Sequence, residues 1–175
     1  MTTLALHTCC GPCLIEPLSI LEKQFDRIVA VFSNSNIRPD AEYRLRHDTF
    51  VSYAQSQDLP YAVLEYSPTQ WFKATAGARS ADDRCKGCYE ARFIRVAQWA
   101  QENGASHLAT TLTVSPYQNQ LAIAQTMQDV CEHYGFIYAG SDFSDHYPAA
   151  VKKSRQLGMY RQKYCGCLPS RDESG

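Results

Sequence analysis

The sequence has no apolar stretch long enough to cross a membrane. Near its start the run Ile28-Val29-Ala30-Val31-Phe32 ends after five residues, where a bilayer needs roughly 20. The first residues, Met1-Thr2-Thr3-Leu4-Ala5-Leu6-His7, carry no basic head, and His7 breaks their apolar run, so no signal peptide is expected. None of the nine glycines stands two positions from another, so the G-x-G dinucleotide fingerprint is missing. The G-x-x-x-x-G-K-S/T cradle for a nucleoside triphosphate is missing as well. Charged residues make up 20% and hydrophobic residues 45% of 175 positions, values that exclude a disordered, collagenous or coiled-coil chain. At roughly 150 residues per domain, one domain over residues 1–175 is expected. A chain of this length buries roughly 70% of its unfolded surface and needs no disulfides to hold it. The expectation is a soluble, cytoplasmic protein without a membrane partner.

Acidic residues are also missing from one long stretch. Residues 146–171 contain Lys152, Lys153, Arg155, Arg161, Lys163 and Arg171 but no Asp or Glu, although the whole chain has a net charge of −1. The first 145 residues hold 11 basic and 16 acidic side chains, a net of −5. A basic segment on an acidic chain points to a polyanionic partner.

The apolar pattern predicts strands at Thr3–His7, Arg27–Phe32, Tyr61–Tyr66, His107–Thr111 and Phe136–Ala139. Between them it predicts a helix after Gly11-Pro12, with Leu14, Leu18, Leu21 and Phe25 on one stripe and Pro17 bending or delaying it. Further helices are expected over Ala41–Gln57 with Asp40 as cap, Gly87–Asn103, from Tyr117 to Tyr134, and Ala149–Leu157. Gly77–Asp83 reads as a loop. Strands alternating with helices argue for a three-layer, mainly parallel α/β sheet of Rossmann-like type. Loops that follow strands in such sheets gather at one edge, where ligands bind. Cys9, Cys10, the Asn34 loop and the Thr111–Tyr117 loop are expected to share it.

Seven of the eight cysteines fall in three sets: Cys9-Cys10-x-x-Cys13, Cys85-x-x-Cys88 and Cys165-x-Cys167. A two-residue gap lets two thiolates face one metal. Cys131 sits in an apolar helical stripe with Leu121, Ala124, Met127 and Tyr134 and reads as a small buried hydrophobe. A four-ligand zinc site would leave three of the seven over, and two such sites would be one short. A [4Fe–4S] cluster on three or four of them, with the rest binding a second metal or cycling as thiols, fits the count better. A thioredoxin-like pair would use only two.

These sets and their surroundings resemble the QueH-type epoxyqueuosine reductases over most of the chain. The resemblance rests on His7-x-Cys9-Cys10-Gly11-Pro12-Cys13 and on Asn34-x-Asn36-Ile37-x-Pro39 with Glu42-Tyr43-x-x-Arg46. Arg84-Cys85-x-x-Cys88-Tyr89-x-x-Arg92 and Thr110-Thr111-Leu112-x-x-Ser115-Pro116 follow, then Tyr160-Arg161-Gln162-x-Tyr164-Cys165-Gly166-Cys167. Ser35 stands where the family usually has Pro, and some members carry Asp in place of Cys13. The resemblance implies reduction of epoxyqueuosine to queuosine at the tRNA wobble base. It also implies a [4Fe–4S] cluster beside a second, mononuclear metal, iron, which zinc can replace in vitro. Cys9, Cys10, Cys13, Cys85, Cys88, Cys165 and Cys167 are the joint ligand set, with Cys9, Cys10, Cys13, Cys165 and Cys167 catalytic. The fold is expected to resemble the adenine nucleotide alpha hydrolase-like sheet of ATP-dependent tRNA thiolation enzymes, without their Ser-Gly-Gly-x-Asp-Ser signature. The partners would be tRNA carrying epoxyqueuosine and an electron donor that the sequence does not identify.

Asn34, Asn36, Ser115 and Tyr117 on the ligand edge are candidates for the nucleoside, although Asn and Ser are also common turn residues. Tyr43 and Arg46 share a helix face, which a solvated surface would explain equally. Tyr160, Arg161 and Tyr164 interleave aromatics and charge, suited to stacking on unpaired bases, and Lys152, Lys153 and Arg155 suit phosphate. His7 reads as a buried or supporting histidine. Two other readings stand: a zinc-stabilised RNA-binding module without catalysis, and a thiol–disulfide oxidoreductase.

Overall fold

The computed structural model describes residues 1–174. Five parallel strands form one sheet: β1 (Thr3–His7), β2 (Arg27–Phe32), β3 (Tyr61–Val63), β4 (His107–Thr110) and β5 (Ile137–Tyr138). Their order is β3-β2-β1-β4-β5, with Leu4 opposite Ile28 on one side and His107 on the other. β1 is central and entirely buried, which is why its five residues carry no exposed polar face. Among the described residues five α-helices lie between the strands, α1 (Gly11–Leu21), α2 (Asp40–Ser56), α3 (Pro68–Thr75), α4 (Ala81–Glu102) and α5 (Gln120–Tyr134), and α6 (Tyr147–Gln156) and α7 (Leu168–Ser174) follow β5.

Alternation along β1 and β2 divides the core into two layers. Leu4, Leu6, Ile28, Ala30 and Phe32 pack with Leu14 and Leu18 of α1, Phe50 of α2 and Ala150 of α6. Ala5, Val29 and Val31 face the other way, onto Phe93 and Val96 of α4 and Ile123 and Met127 of α5. This is the expected three-layer α/β arrangement. Among the described residues no helix is long and apolar enough to cross a membrane.

Several boundaries differ from those read in the sequence. α4 begins at Ala81, not Gly87, because the Ser80 hydroxyl caps it by accepting from the Asp83 amide at 3.0 Å. Cys85 and Cys88 therefore lie one turn apart within the helix, beyond its first turn. Pro39 rather than Asp40 precedes α2, and Asp40 instead pairs with Arg38 at 3.2 Å. α1 carries Pro17 without ending, and stops at Leu21, so Phe25 packs from the following turn, edge-on to His107. β3 and β5 are shorter edge strands than expected. α3 and α7 have no counterpart in the sequence reading.

Candidate functional site

Strands are added from β1 outward to β3 on one side and from β4 to β5 on the other, so a crevice opens between the carboxyl ends of β1 and β4. A cavity of about 590 Å³ occupies it. Six of the seven clustered cysteines line it: Cys9 and Cys13 from the β1–α1 turn, Cys85 and Cys88 from α4, and Cys165 and Cys167 from the segment before α7. Cys10 lies just behind. The Cys9, Cys10 and Cys13 sulfurs are all within 4.8 Å of one another and buried, with 3.9 Å between Cys9 and Cys10. Cys131 is buried on α5 among Ile123, Met127 and Val130, far in role from this group, and burial pushes its thiol up to about 12.

Soft sulfur donors at such spacing fit a metal. Without one the trio shares its charge unevenly. Cys10 is held well below the ordinary thiol range because Cys13 and Cys9 hydrogen-bond to its sulfur and the Gln162 amide donates to it at 3.0 Å. Cys13 is pushed up by donating to Cys10, and Cys9, donating likewise, rises to about 11. Burial raises Cys85 to about 11 and also raises Cys88. Metal coordination would replace those protons and leave all the sulfurs as thiolates.

Backbone geometry brings the last pair in. Gly166, between Cys165 and Cys167, has φ +150°, and a Cβ there would sit 2.7 Å from the Asn36 amide nitrogen. Only glycine fits that approach. Arg46, 2% exposed, then fastens the segment: Nη1 donates to the Cys165 carbonyl at 2.7 Å and Nη2 to that of Tyr164 at 2.9 Å. Its Nε pairs with Glu42 at 2.8 Å, and its guanidinium lies over the Tyr164 ring. On the α4 side a Cβ on Gly87 would meet the Ala74 carbonyl at 2.7 Å, so α3 can lie directly against the helix that carries Cys85 and Cys88.

The remaining sequence candidates separate. Asn36, Arg46, Ser115, Tyr117 and Tyr164 line the cavity with the cysteines. Asn36 is 1% exposed and its Oδ1 has no partner. Tyr117 stands at the rim, 83% exposed and edge-on to Tyr147. Asn34 is spent internally, donating to the Thr8 carbonyl at 2.9 Å and accepting from Arg92 at 2.7 Å. Tyr43 stacks on Tyr66 outside the cavity. Arg46 is buried rather than on a solvated face. Tyr160 donates to Glu42 and Tyr164 to the Arg38 carbonyl, so both hydroxyls tie the chain to itself. Arg161 borders a small adjoining cleft with Pro12 and Cys13. Lys152 and Arg155 are exposed on α6, whereas Lys153 pairs with buried Glu16 at 2.6 Å.

His7 is not a ligand. Its Nε2 donates to the Ser33 carbonyl, which can only accept, so Nδ1 accepts from the Thr110 hydroxyl at 2.8 Å. Burial, reinforced by Arg92, holds it neutral, down to about 3.

Three residues that reach the sulfurs escaped notice as donors. Gln118 Nε2 donates to Cys165 at 3.2 Å while its oxygen accepts from Tyr89, Gln162 donates to Cys10, and Thr111 lies 3.3 Å from Cys9. Glutamine has no spacing rule that would mark it in a sequence. Arg92 was visible, four residues after Cys88 on one helix face, and reaches that sulfur at 3.7 Å.

Residues 4–173 match the family described as epoxyqueuosine reductase QueH. The chain belongs to the QueH family. An epoxyqueuosine reductase QueH from Streptococcus pyogenes serotype M1 is 33% identical over 177 residues, covering 95% of this chain and 69% of the relative. The QueH of Thermotoga maritima is 30% identical over 96% of this chain and 90% of its own length. Two solved structures share the fold. The U34-tRNA thiolase NcsA from Methanococcus maripaludis, with its [4Fe-4S] cluster, has a TM-score of 0.56 at 16% identity, over 99% of this chain and 63% of the thiolase. A chain described as a predicted subunit of tRNA methyltransferase, from Methanocaldococcus jannaschii, has a TM-score of 0.57 at 12% identity, over 89% of this chain and 76% of that one.

Proposed function

We propose that this QueH-family chain is an oxidoreductase that reduces epoxyqueuosine to queuosine at the wobble position of tRNA. The observation that carries this is the convergence of six cysteines from three distant segments on one cavity, with Cys10 directly behind Cys9 and Cys13, in a chain whose matched relatives bear that activity in their names. We read residues 1–175 as one iron–sulfur domain.

We assign the cysteines to two metal groups, with sulfur spacing as the support. Metal–sulfur bonds of about 2.3 Å in a tetrahedron put sulfurs about 3.8 Å apart, close to the 3.9 Å between Cys9 and Cys10. Cys9, Cys10 and Cys13 therefore suit the single second metal, iron. Cys85, Cys88, Cys165 and Cys167, the other four cysteines lining the cavity, match the ligand number of a [4Fe–4S] cluster. When bound, these metals would relay two electrons, one at a time, from an external donor and would supply the Lewis acid for loss of the epoxide oxygen as water.

The chain's own residues hold the substrate. Tyr117 offers a stacking face at the rim, and the unpaired Asn36 Oδ1 accepts a hydrogen bond from the modified nucleoside. Ser115 lines the same cavity. Lys152, Arg155, Arg161 and Lys163 provide cations for tRNA phosphates around the mouth.

The test is anaerobic reconstitution with iron and sulfide, followed by turnover of epoxyqueuosine-containing tRNA with dithionite as reductant. Loaded protein should be brown, with a band near about 400 nm, and digested tRNA should show queuosine one oxygen lighter than its precursor. Colourless protein with zinc alone would favour the RNA-binding reading, and brown protein without queuosine formation would overturn the activity.

A further inference from the structure

Arg92 carries a charge into the interior, and among the described residues no carboxylate pairs with it. It lies on α4 and is 3% exposed. Nη2 donates to Asn34 Oδ1 at 2.7 Å, a neutral acceptor, and Nη1 donates to the Cys88 sulfur at 3.7 Å. Nε has no partner. Among the described residues Arg92 forms no ion pair with a carboxylate. A guanidinium cannot shed its proton to escape this, and a buried ion without an opposite charge is strongly disfavoured. Its position is also fixed from behind, because Asn34 Nδ2 is held by the Thr8 carbonyl at 2.9 Å, one residue before Cys9. Arg92 thus points at the Cys88 sulfur, and among the described residues no carboxylate pairs with it.

We propose that Arg92 is the counter-ion of the cluster held by Cys85, Cys88, Cys165 and Cys167, and that it raises the cluster's reduction potential. This rests on the metal reading above. Reduction adds one electron to a cluster that four thiolates already make anionic, and Arg92 keeps its proton and its charge throughout. A cation that donates to a ligand sulfur favours the more negative, reduced state, so the electron is accepted at a less negative potential. Arg92 is a positioning residue here and touches no substrate.

The experiment is an anaerobic dithionite titration of cluster-loaded wild type, Arg92→Gln and Arg92→Lys, followed by electron paramagnetic resonance. Dithionite supplies the electrons and is oxidised to sulfite. Iron and sulfide are assayed on each sample. With equal iron, the midpoint of Arg92→Gln should shift to more negative potential, and Arg92→Lys should lie nearer wild type. Equal midpoints for wild type and Arg92→Gln overturn the proposal while leaving the cluster assignment intact. If Arg92→Gln fails to load and Arg92→Lys loads, charge is again the decisive property and the proposal holds. If both fail alike, the shape of the guanidinium and not its charge is required, and the counter-ion role is wrong. Wild type without iron and sulfide is a different failure, that of the metal reading itself.

Discussion

Arg46, buried on α2, acts as an internal clamp. Its three nitrogens reach Glu42, the Cys165 carbonyl and the Tyr164 carbonyl, so truncation strands a buried carboxylate and frees the segment that carries two ligands. Breaking a buried pair from one side costs about 3–5 kcal/mol. Arg46→Ala should lose stability of that order in urea denaturation and lose iron content with it. Arg46→Lys should recover little, since a single ammonium cannot serve a fork of three acceptors. Gly166 acts at the same place through the backbone. Gly166→Ala must hold an L-residue at φ +150° while pressing on the Asn36 amide, and about 1–3 kcal/mol of strain is expected. Thermal melts of metal-free protein read this separately from metal loss.

The helix α4 carries four of the site's functional groups on one face: Cys85, Cys88, Tyr89 and Arg92. Cys85→Ala or Cys88→Ala should abolish cluster binding, while Cys131→Ala on α5 should leave iron and sulfide unchanged; equal iron in wild type and Cys85→Ala would sink the ligand assignment. The pattern of the elements explains what the sequence disclosed. β1 and β2 were readable to the residue because they are central and apolar on both faces. The start of α4 was not, because Ala81–Arg84 is polar and its helical state depends on the Ser80 cap. α3 was missed for a similar reason: only Trp71 of its eight residues is buried, so it carries no periodic stripe. In the site the cysteines announced themselves by spacing, and the exposed Tyr117 by its place after β4. Asn34 and Tyr43 looked equivalent to their neighbours, and only tertiary packing turns them inward. The donors Gln118 and Gln162 have no local signature at all, since they meet their sulfurs across 47 and 152 residues.

Across the whole molecule, charge and topology set how a large anionic partner would approach. The sheet opens between β1 and β4, where Lys163 lines the cavity and Arg161 the adjoining cleft, and Lys152 and Arg155 are exposed on α6. Lys153 already balances Glu16, so Lys152 and Arg155 are the useful pair to neutralise. Lys152→Ala with Arg155→Ala should weaken tRNA binding and flatten the logarithmic salt dependence by about one per lost phosphate contact, measured by filter binding at several salt concentrations. An unchanged slope would place the docking face elsewhere. Removing metal should also lower the melting temperature, because a group bound only by the folded state adds to its stability. The proposed ligands come from residues 9–13, 85–88 and 165–167, and no disulfide joins these segments. A bound metal is thus the bolt that fastens the chain's last stretch to its first strand. Chelation should draw that bolt and let the stretch swing away, giving trypsin early cuts after Arg161 and Lys163 that the loaded protein resists.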